Sequence, residues 1–271
     1  MSTQGIFTAL SGAMAQDARL ETIANNIANS NTAAFKRDQQ VFREYLTSYE
    51  KPSDTLQVPK IPASVESFYD LQGGDKSFVD KDGTYTDHSQ GTLKATGNPL
   101  DLAIEGEGYF EVLTPNGVRY SRNGSFKLDP EGRLVNAQGH FVLSEGAPGQ
   151  DPQSRILTLA SPEVNVSGNG EISQNGQILG KLGLLNFTNK DVLQKEGQSL
   201  YSLRESVPAE AVPAERAQIS QGSLEQSNVN IVREMTDMIA TTRTFESAQK
   251  AIQSYDRMNE KLVNDVPKVR G

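Results

Sequence analysis

The chain has 271 residues, a formal net charge of −8, no cysteine, two histidines, and 36% of its residues in the apolar and aromatic set. Disulfide frameworks, thiol nucleophiles and thiolate metal sites are therefore excluded. So acidic a balance argues against a general nucleic-acid binder, whose phosphate-facing surface must be positive, and the trio Lys36, Arg37 and Arg43 is too small to reverse it.

No basic segment at the N-terminus leads into an apolar run of about 7–15 residues, and no stretch approaches about 18 continuous apolar residues. A cleaved secretion signal and direct membrane insertion are not expected. Ile6, Leu10, Ala13, Leu20, Ala24 and Ile27 recur at helical spacing, with Asp17 as the polar break, and predict a helix from near Thr3 to about Asn29. It ends in Asn25-Asn26-Ile27-Ala28-Asn29-Ser30-Asn31-Thr32, rich in side chains that bond their own backbone and cap or turn a chain more readily than they extend a helix. Residues 35–49 predict a second short helix, with Phe35, Phe42, Tyr45 and Leu46 roughly on one side, and Pro52, Pro59 and Pro62 then make an extended connector.

From Tyr85 onward the pattern is that of strands and tight turns. Asn116-Gly117, Asn123-Gly124, Asn169-Gly170 and Asn175-Gly176 suit two-residue hairpins, and Asp129-Pro130-Glu131-Gly132 is a further turn. Short β-prone runs lie between them at 108–113, 117–121, 125–128, 133–135, 140–143, 156–159, 171–173 and 177–187. Residues 206–217, with Pro208 and Pro213, suit an exposed loop or linker. A last helix follows, for which Asn228 or Asn230 is a plausible cap, with Ile231, Met235, Met238, Phe245, Ile252, Tyr255 and Leu262 on one stripe. If residues 229–264 are all helical the rod is about 54 Å long at 1.5 Å per residue, longer than a small domain needs for its own core.

The fold class expected is α+β: paired, coiled-coil-like terminal helices, an extended connector and a central antiparallel β-domain rich in hairpins. The expected division places the terminal helices at 1–30 and 226–271, the connector at 31–84 and 202–225, and the β-domain at 85–201. Narrow apolar seams of this kind need partner helices, supplied either by the other end of the same chain or by neighbouring subunits.

Catalytic chemistry finds no foothold. His88 and His140 have no nearby nucleophile motif. Asp101, Glu105 and Glu107 are read as the polar side of a half-buried strand in preference to a carboxylate pair. Glu105-Gly106-Glu107-Gly108 lacks the Gly-Lys-Ser/Thr of a phosphate loop, and the Asp129 turn lacks the spacing of a calcium loop. No catalytic residue, metal site or cofactor is expected, and the chain is not expected to be an enzyme.

Four segments carry a resemblance: residues 24–37, which run from Ala24-Asn25-Asn26-Ile27-Ala28-Asn29 to Phe35-Lys36-Arg37; residues 96–110, which include Gly97-Asn98-Pro99-Leu100-Asp101-Leu102-Ala103-Ile104-Glu105-Gly106; Tyr120-Ser121-Arg122-Asn123-Gly124-Ser125-Phe126; and Gly222-Ser223-Leu224-Glu225-Gln226-Ser227-Asn228-Val229-Asn230. In this order they closely resemble bacterial flagellar rod and hook proteins. Where that family usually has glycine the chain has Ala34, which resists the backbone shape that glycine permits, so a more helical turn into Phe35 is expected.

The resemblance implies a structural component of the flagellar basal body, in the rod that crosses the periplasm and carries torque from motor to hook. It implies partners too: copies of itself, other rod proteins, basal-body ring proteins and the flagellar type III export apparatus, which passes such chains without a cleaved signal. Phe35-Lys36-Arg37-Asp38, Leu46-Thr47-Ser48-Tyr49-Glu50-Lys51 and Ser254-Tyr255-Asp256-Arg257-Met258-Asn259 resemble proximal rod proteins more than distal ones. The assembly interface is expected at Ile6, Leu10, Leu20, Asn25, Asn26, Ile27, Asn29, Asn31, Thr32 and Phe35, and at Asn228, Val229, Asn230, Ile231, Met235, Met238, Phe245, Ile252, Tyr255 and Leu262. Two other readings compete: a secreted β-domain hydrolase or carbohydrate-binding protein with oligomerising helices, and a free-standing coiled-coil adaptor.

Overall fold

The computed structural model describes residues 4–47, 76–147, 150–204, 210–214 and 216–265. By contacts the chain divides into two compact units, one of residues 1–26, 38–86 and 232–271, the other of residues 27–37 and 87–231. Sequence order thus passes between them four times.

The first, helical unit carries α1 (Gln4–Ala28), α2 (Ile231–Asp265), β1 (Asp38–Thr47) and β2 (Lys76–Thr86). Alanine, leucine and methionine without proline make α1 a strong helix. It ends where Ser30 turns back and gives the Ile27 carbonyl both its backbone N–H (3.2 Å) and its hydroxyl (2.7 Å). Helix α2 is 35 residues, about 52 Å at 1.5 Å per residue. Its threonines at 236, 241, 242 and 244 donate to carbonyls one turn back at 2.7–3.0 Å, which satisfies their hydroxyls without any tertiary partner.

Residues 38–47 are a strand and not the helix that their spacing suggests. They pair antiparallel with β2 from Asp38↔Thr86 to Thr47↔Lys76, with a bulge beyond Val41↔Gly83. Val41, Phe42, Tyr45, Leu46 and Thr47 fit a pleated surface as well as a helix face, and a second β-prone run some forty residues away decides between the two. The prolines expected to form a connector, Pro52, Pro59 and Pro62, lie outside the described residues.

The second unit is the central antiparallel β-structure. Its strands begin with β3 (Leu93–Ala95), β4 (Leu102–Glu105), β5 (Tyr109–Thr114), β6 (Gly117–Ser121), β7 (Phe126–Leu128), β8 (Leu134–Asn136) and β9 (Phe141–Val142). They continue with β10 (Asn165–Val166), β11 (Glu171–Gln174), β12 (Gln177–Lys181), β13 (Leu184–Phe187), β14 (Leu193–Gly197), β15 (Leu200–Leu203), β16 (Ala211–Pro213), β17 (Gln218–Gln221) and β18 (Ser223–Glu225). The main sheet runs β14-β15-β6-β5-β9-β8-β7, with β13 and β16 joined to it through β5. Asn175-Gly176 makes the expected hairpin turn between β11 and β12, both residues at positive φ.

Strand β5 is covered on both faces. Phe110 and Val112 are fully buried and Tyr109 nearly so. Phe110 joins a core with Leu102, Ile104, Phe126, Leu134, Ile172 and Leu182, and Tyr109 packs in another with Tyr120, Phe187 and Tyr201. The expected run 177–187 divides into β12 and β13, and 156–159 contributes isolated bridges. Within 206–217, expected as a loop or linker, residues 211–213 pair with β13. Farther along, β17 pairs with β4 and β18 with β3.

Candidate functional site

The four segments that carry the resemblance converge in the β-unit on one buried carboxylate. Glu225, the last residue of β18, accepts from Lys36 Nζ at 2.6 Å, from the Gly91 backbone N–H at 2.8 Å and from Arg122 Nη1 at 3.5 Å. Lys36 Nζ also donates to the Ser89 carbonyl (2.7 Å). Arg122 donates to the carbonyls of Ile104 (3.3 Å) and Gly106 (2.6 Å) and lies 5.3 Å from the Tyr109 ring centroid. All three charged side chains are at most 4% exposed. Gly91, whose N–H bonds Glu225, lies so close to the last segment that a Cβ on it would stand 2.0 Å from the Gln226 carbonyl oxygen.

Two cations and one carboxylate held away from water make each partner depend on the others, because deleting one leaves an uncompensated buried charge. Burial lowers the Lys36 pKa, with Glu225 opposing that shift. Beside this cluster Tyr109 Oη and His88 Nδ1 share a hydrogen bond of 2.9 Å. Burial, followed by the positive charges of Lys190, Lys36, Lys195 and Arg122, lowers the His88 pKa to about 4. Burial pushes Tyr109 up to about 12.

Asn228, expected as a possible helix cap, instead ties two distant stretches of backbone to its own. Its Oδ1 accepts from the Arg37 N–H (2.7 Å), and its Nδ2 donates to the carbonyls of Asp87 (2.9 Å) and Ser89 (3.2 Å). The Ala34 N–H donates to the Glu225 carbonyl at 2.8 Å. Ala34 itself is buried at φ +56, so the turn is not more helical than glycine would make it. The surrounding hydrogen bonds hold alanine in the left-handed region despite its Cβ. Phe35 is half-buried, with Lys195 Nζ 4.3 Å from its ring centroid and donating to the Lys36 carbonyl at 2.5 Å.

In the helical unit, Asn26 Nδ2 donates to the Asp38 carbonyl (2.8 Å) and to Glu234 Oε2 (3.3 Å), while its Oδ1 accepts from the Asp38 N–H (3.0 Å). Of the other expected interface residues, Ile6, Leu20, Ile27, Asn29, Thr32, Val229, Met238, Phe245, Ile252 and Tyr255 are half-buried. Leu10, Asn25, Asn31, Asn230, Ile231 and Met235 are exposed, and the Leu262 side chain lies outside the described residues. Each helix therefore divides its apolar residues between an inner face and an outer one. The outer faces are Phe7, Leu10 and Met14 on α1 and Val232, Met235 and Ile239 on α2, all 44–75% exposed. Both triplets have i, i+3, i+7 spacing, and Phe7, Met14, Val232 and Ile239 escaped the sequence reading because it followed a single stripe per helix.

Two of the three carboxylates considered for catalysis have structural partners, and Glu105 is exposed. Asp101 accepts from Thr96 Oγ1 (2.7 Å) and Asn98 Nδ2 (3.0 Å), and Glu107 pairs with Lys190 at 2.7 Å, which holds its carboxyl below the usual range. Among the described residues no cluster of His, Cys, Asp and Glu has the makings of a metal site, and no helix is long and apolar enough to cross a membrane.

The model for flagella basal body rod proteins matches residues 6–36, that for the D1 domain of flagellar hook proteins FlgE/F/G matches 103–179, and that for the C-terminal part of flagellar basal body rod FlgEFG proteins matches 220–265. The flagellar basal-body rod protein FlgG of Buchnera aphidicola is 34% identical over 264 residues, covering 93% of this chain and 95% of that protein. FlgF of Caulobacter vibrioides is 33% identical over 264 residues, covering 97% and 98%. FlgG of Bacillus subtilis is 32% identical over 272 residues, covering 96% and 98%.

Proposed function

The chain belongs to the flagellar basal-body rod protein family, as a structural subunit of the basal body and not an enzyme, and from that premise we propose that it polymerises through its terminal helices into the helical tube that transmits torque from motor to hook. The observation that carries this reading is the pair of outer apolar stripes, Phe7, Leu10, Met14 and Val232, Met235, Ile239. Burying one such side chain contributes roughly 1.5–3 kcal/mol, whereas association costs about 4–15 kcal/mol in lost freedom. Several neighbours must therefore contribute together, which makes assembly cooperative. A head-to-tail contact that does not close on itself gives a filament and not a ring of fixed size.

The proximal rod is favoured over the distal rod by Phe35-Lys36-Arg37-Asp38 and by the tail Ser254-Tyr255-Asp256-Arg257-Met258-Asn259. The β-unit contacts basal-body rings, and the chain reaches the periplasm through the type III export apparatus. Its partners are copies of itself and other rod proteins.

The test is Leu10→Asp combined with Met235→Asp. Both side chains are exposed, so the subunit is expected to keep its stability within about 0.5 kcal/mol while tube formation, followed by sedimentation and electron microscopy, is lost. Parallel loss of β-unit stability would mean that the stripes serve the subunit's own fold. Position along the rod is read from electron microscopy of basal bodies carrying a tag inserted beside Pro208.

A further inference from the structure

The chain holds Asn-Gly pairs at Asn116-Gly117, Asn123-Gly124, Asn169-Gly170 and Asn175-Gly176, and the fold treats them unequally. Asparagine before glycine is chemically unstable, because a following residue without Cβ lets its own backbone nitrogen swing onto the asparagine side-chain carbonyl carbon. The reaction needs both groups free to come into contact.

Three of the pairs are held. Gly124 is buried, its carbonyl accepts from the Leu102 N–H at 2.9 Å, and Asn123 Oδ1 accepts from the Ser125 N–H at 3.1 Å. The Gly170 N–H donates to the Ser167 carbonyl at 2.9 Å, while Asn169 Oδ1 accepts from Ser167 Oγ and from the Glu171 N–H. Asn116-Gly117 is exposed, but Thr114 Oγ1 grips it from both sides, donating to the Gly117 carbonyl at 2.8 Å and accepting from the Asn116 N–H at 3.3 Å. Gly117 also lies within β6, in the unbroken register of β5 with β6.

Asn175-Gly176 differs at each point. Both residues are exposed, and among the described residues no hydrogen bond outside the β11–β12 ladder uses either of them. A Cβ on Gly176 would meet nothing within 4 Å. Strand β12 is the outer strand of its sheet. Only Gln174↔Gln177 and Ser173↔Ile178 separate the turn from a bulge that leaves Leu179 without a residue opposite it. Ile178 and Leu179 are 69% and 43% exposed, so little apolar burial holds this tip closed. A segment with so few contacts opens locally far more readily than one anchored in the core.

We propose that Asn175 is a site of spontaneous deamidation in the folded protein. The Gly176 nitrogen forms a bond to Asn175 Cγ, and the side-chain amide nitrogen leaves as ammonia with the proton that the Gly176 nitrogen gives up. A five-membered succinimide remains. Water then opens one of its two carbonyls, giving aspartate or isoaspartate. Either product adds a negative charge at the tip, and isoaspartate also lengthens the main chain by a methylene, which forces the Gln174↔Gln177 pairing out of register.

The experiment incubates the full-length protein at mildly alkaline pH and maps its peptides by mass spectrometry. Replacing the amide NH2 by OH adds about 1 Da, and electron-transfer fragmentation separates isoaspartate from aspartate. In the folded chain Asn175 is expected to convert about tenfold or more faster than Asn116, Asn123 and Asn169, the ratio that a difference of about 1.4 kcal/mol in opening cost gives. In concentrated urea the four are expected to react at similar rates. Any of the other three matching Asn175 in the folded chain overturns the proposal. So does the same order of rates in urea, because local sequence and not the fold would then set it.

Discussion

The two units treat unfavourable surface in opposite ways. The β-unit buries charged side chains and gives them partners: Lys36, Arg122 and Glu225 reach one another or backbone carbonyls within 3.5 Å, and Glu111 pairs with Arg155. The helical unit leaves the two outer stripes, Phe7, Leu10, Met14 and Val232, Met235, Ile239, facing solvent, with Ile231 and Met258 exposed as well. A monomeric protein has reason to do the first and none to do the second, because clustered exposed apolar side chains mark a contact that is still to be made. On the proposed reading, stability is concentrated in one part of the chain and the capacity to associate in the other.

That contrast is open to attack from the β side first. Glu225→Leu strands two buried cations and is expected to destabilise the β-unit by about 3–5 kcal/mol, read from urea denaturation of the intact chain. Adding Lys36→Met to it should recover part of the loss. A cost below about 1 kcal/mol would show that water reaches the cluster, and the distinction between a closed unit and an open one would blur.

Ala34→Val comes next. A β-branched side chain at φ +56 meets backbone strain of about 1–3 kcal/mol, so the same denaturation midpoint should fall by a smaller amount. The variant sharpens the comparison, since it disturbs the turn after α1 without touching either outer stripe.

The smallest effect concerns pH. His88 titrates near 4 in the folded chain, against about 6.5 when unfolded. Between those values the unfolded chain holds the extra proton, so stability is full above about 6.5 and declines as the pH falls toward about 4. His88→Gln, which keeps a polar partner for Tyr109, is expected to flatten that part of the stability–pH profile and to leave tube formation at neutral pH unchanged.

Both terminal helices, the hairpin domain and most of its turns were legible in the sequence, because they rest on local features such as stripe spacing and Asn-Gly pairs. Where the reading failed, a distant residue had decided the outcome. Phe42 and Tyr45 show helical spacing, yet their pairing with Lys81 and Phe78 makes them strand. Lys36 counts as one more surface charge until Glu225, 189 positions away, is brought to 2.6 Å from it. Asn228 has the composition of a helix cap, but Arg37, Asp87 and Ser89 claim its amide. Spacing reports which residues share a face of an element; it carries no information about which of two apolar faces turns inward, so the outer stripes emerged only from the packed structure.

The pairing of β17 with β4 and of β18 with β3 also sets a timetable. Each joins strands more than a hundred residues apart, and such non-local closure is slow and entropically late. A growing or threading chain that has not yet delivered residues 218–225 holds β3 and β4 without their hydrogen-bonded neighbours, and offers Lys36 and Arg122 no counter-ion. The β-unit thus completes these pairings and its buried ion cluster only once residues 218–225 are in place, so a chain cut before them is expected to lack both.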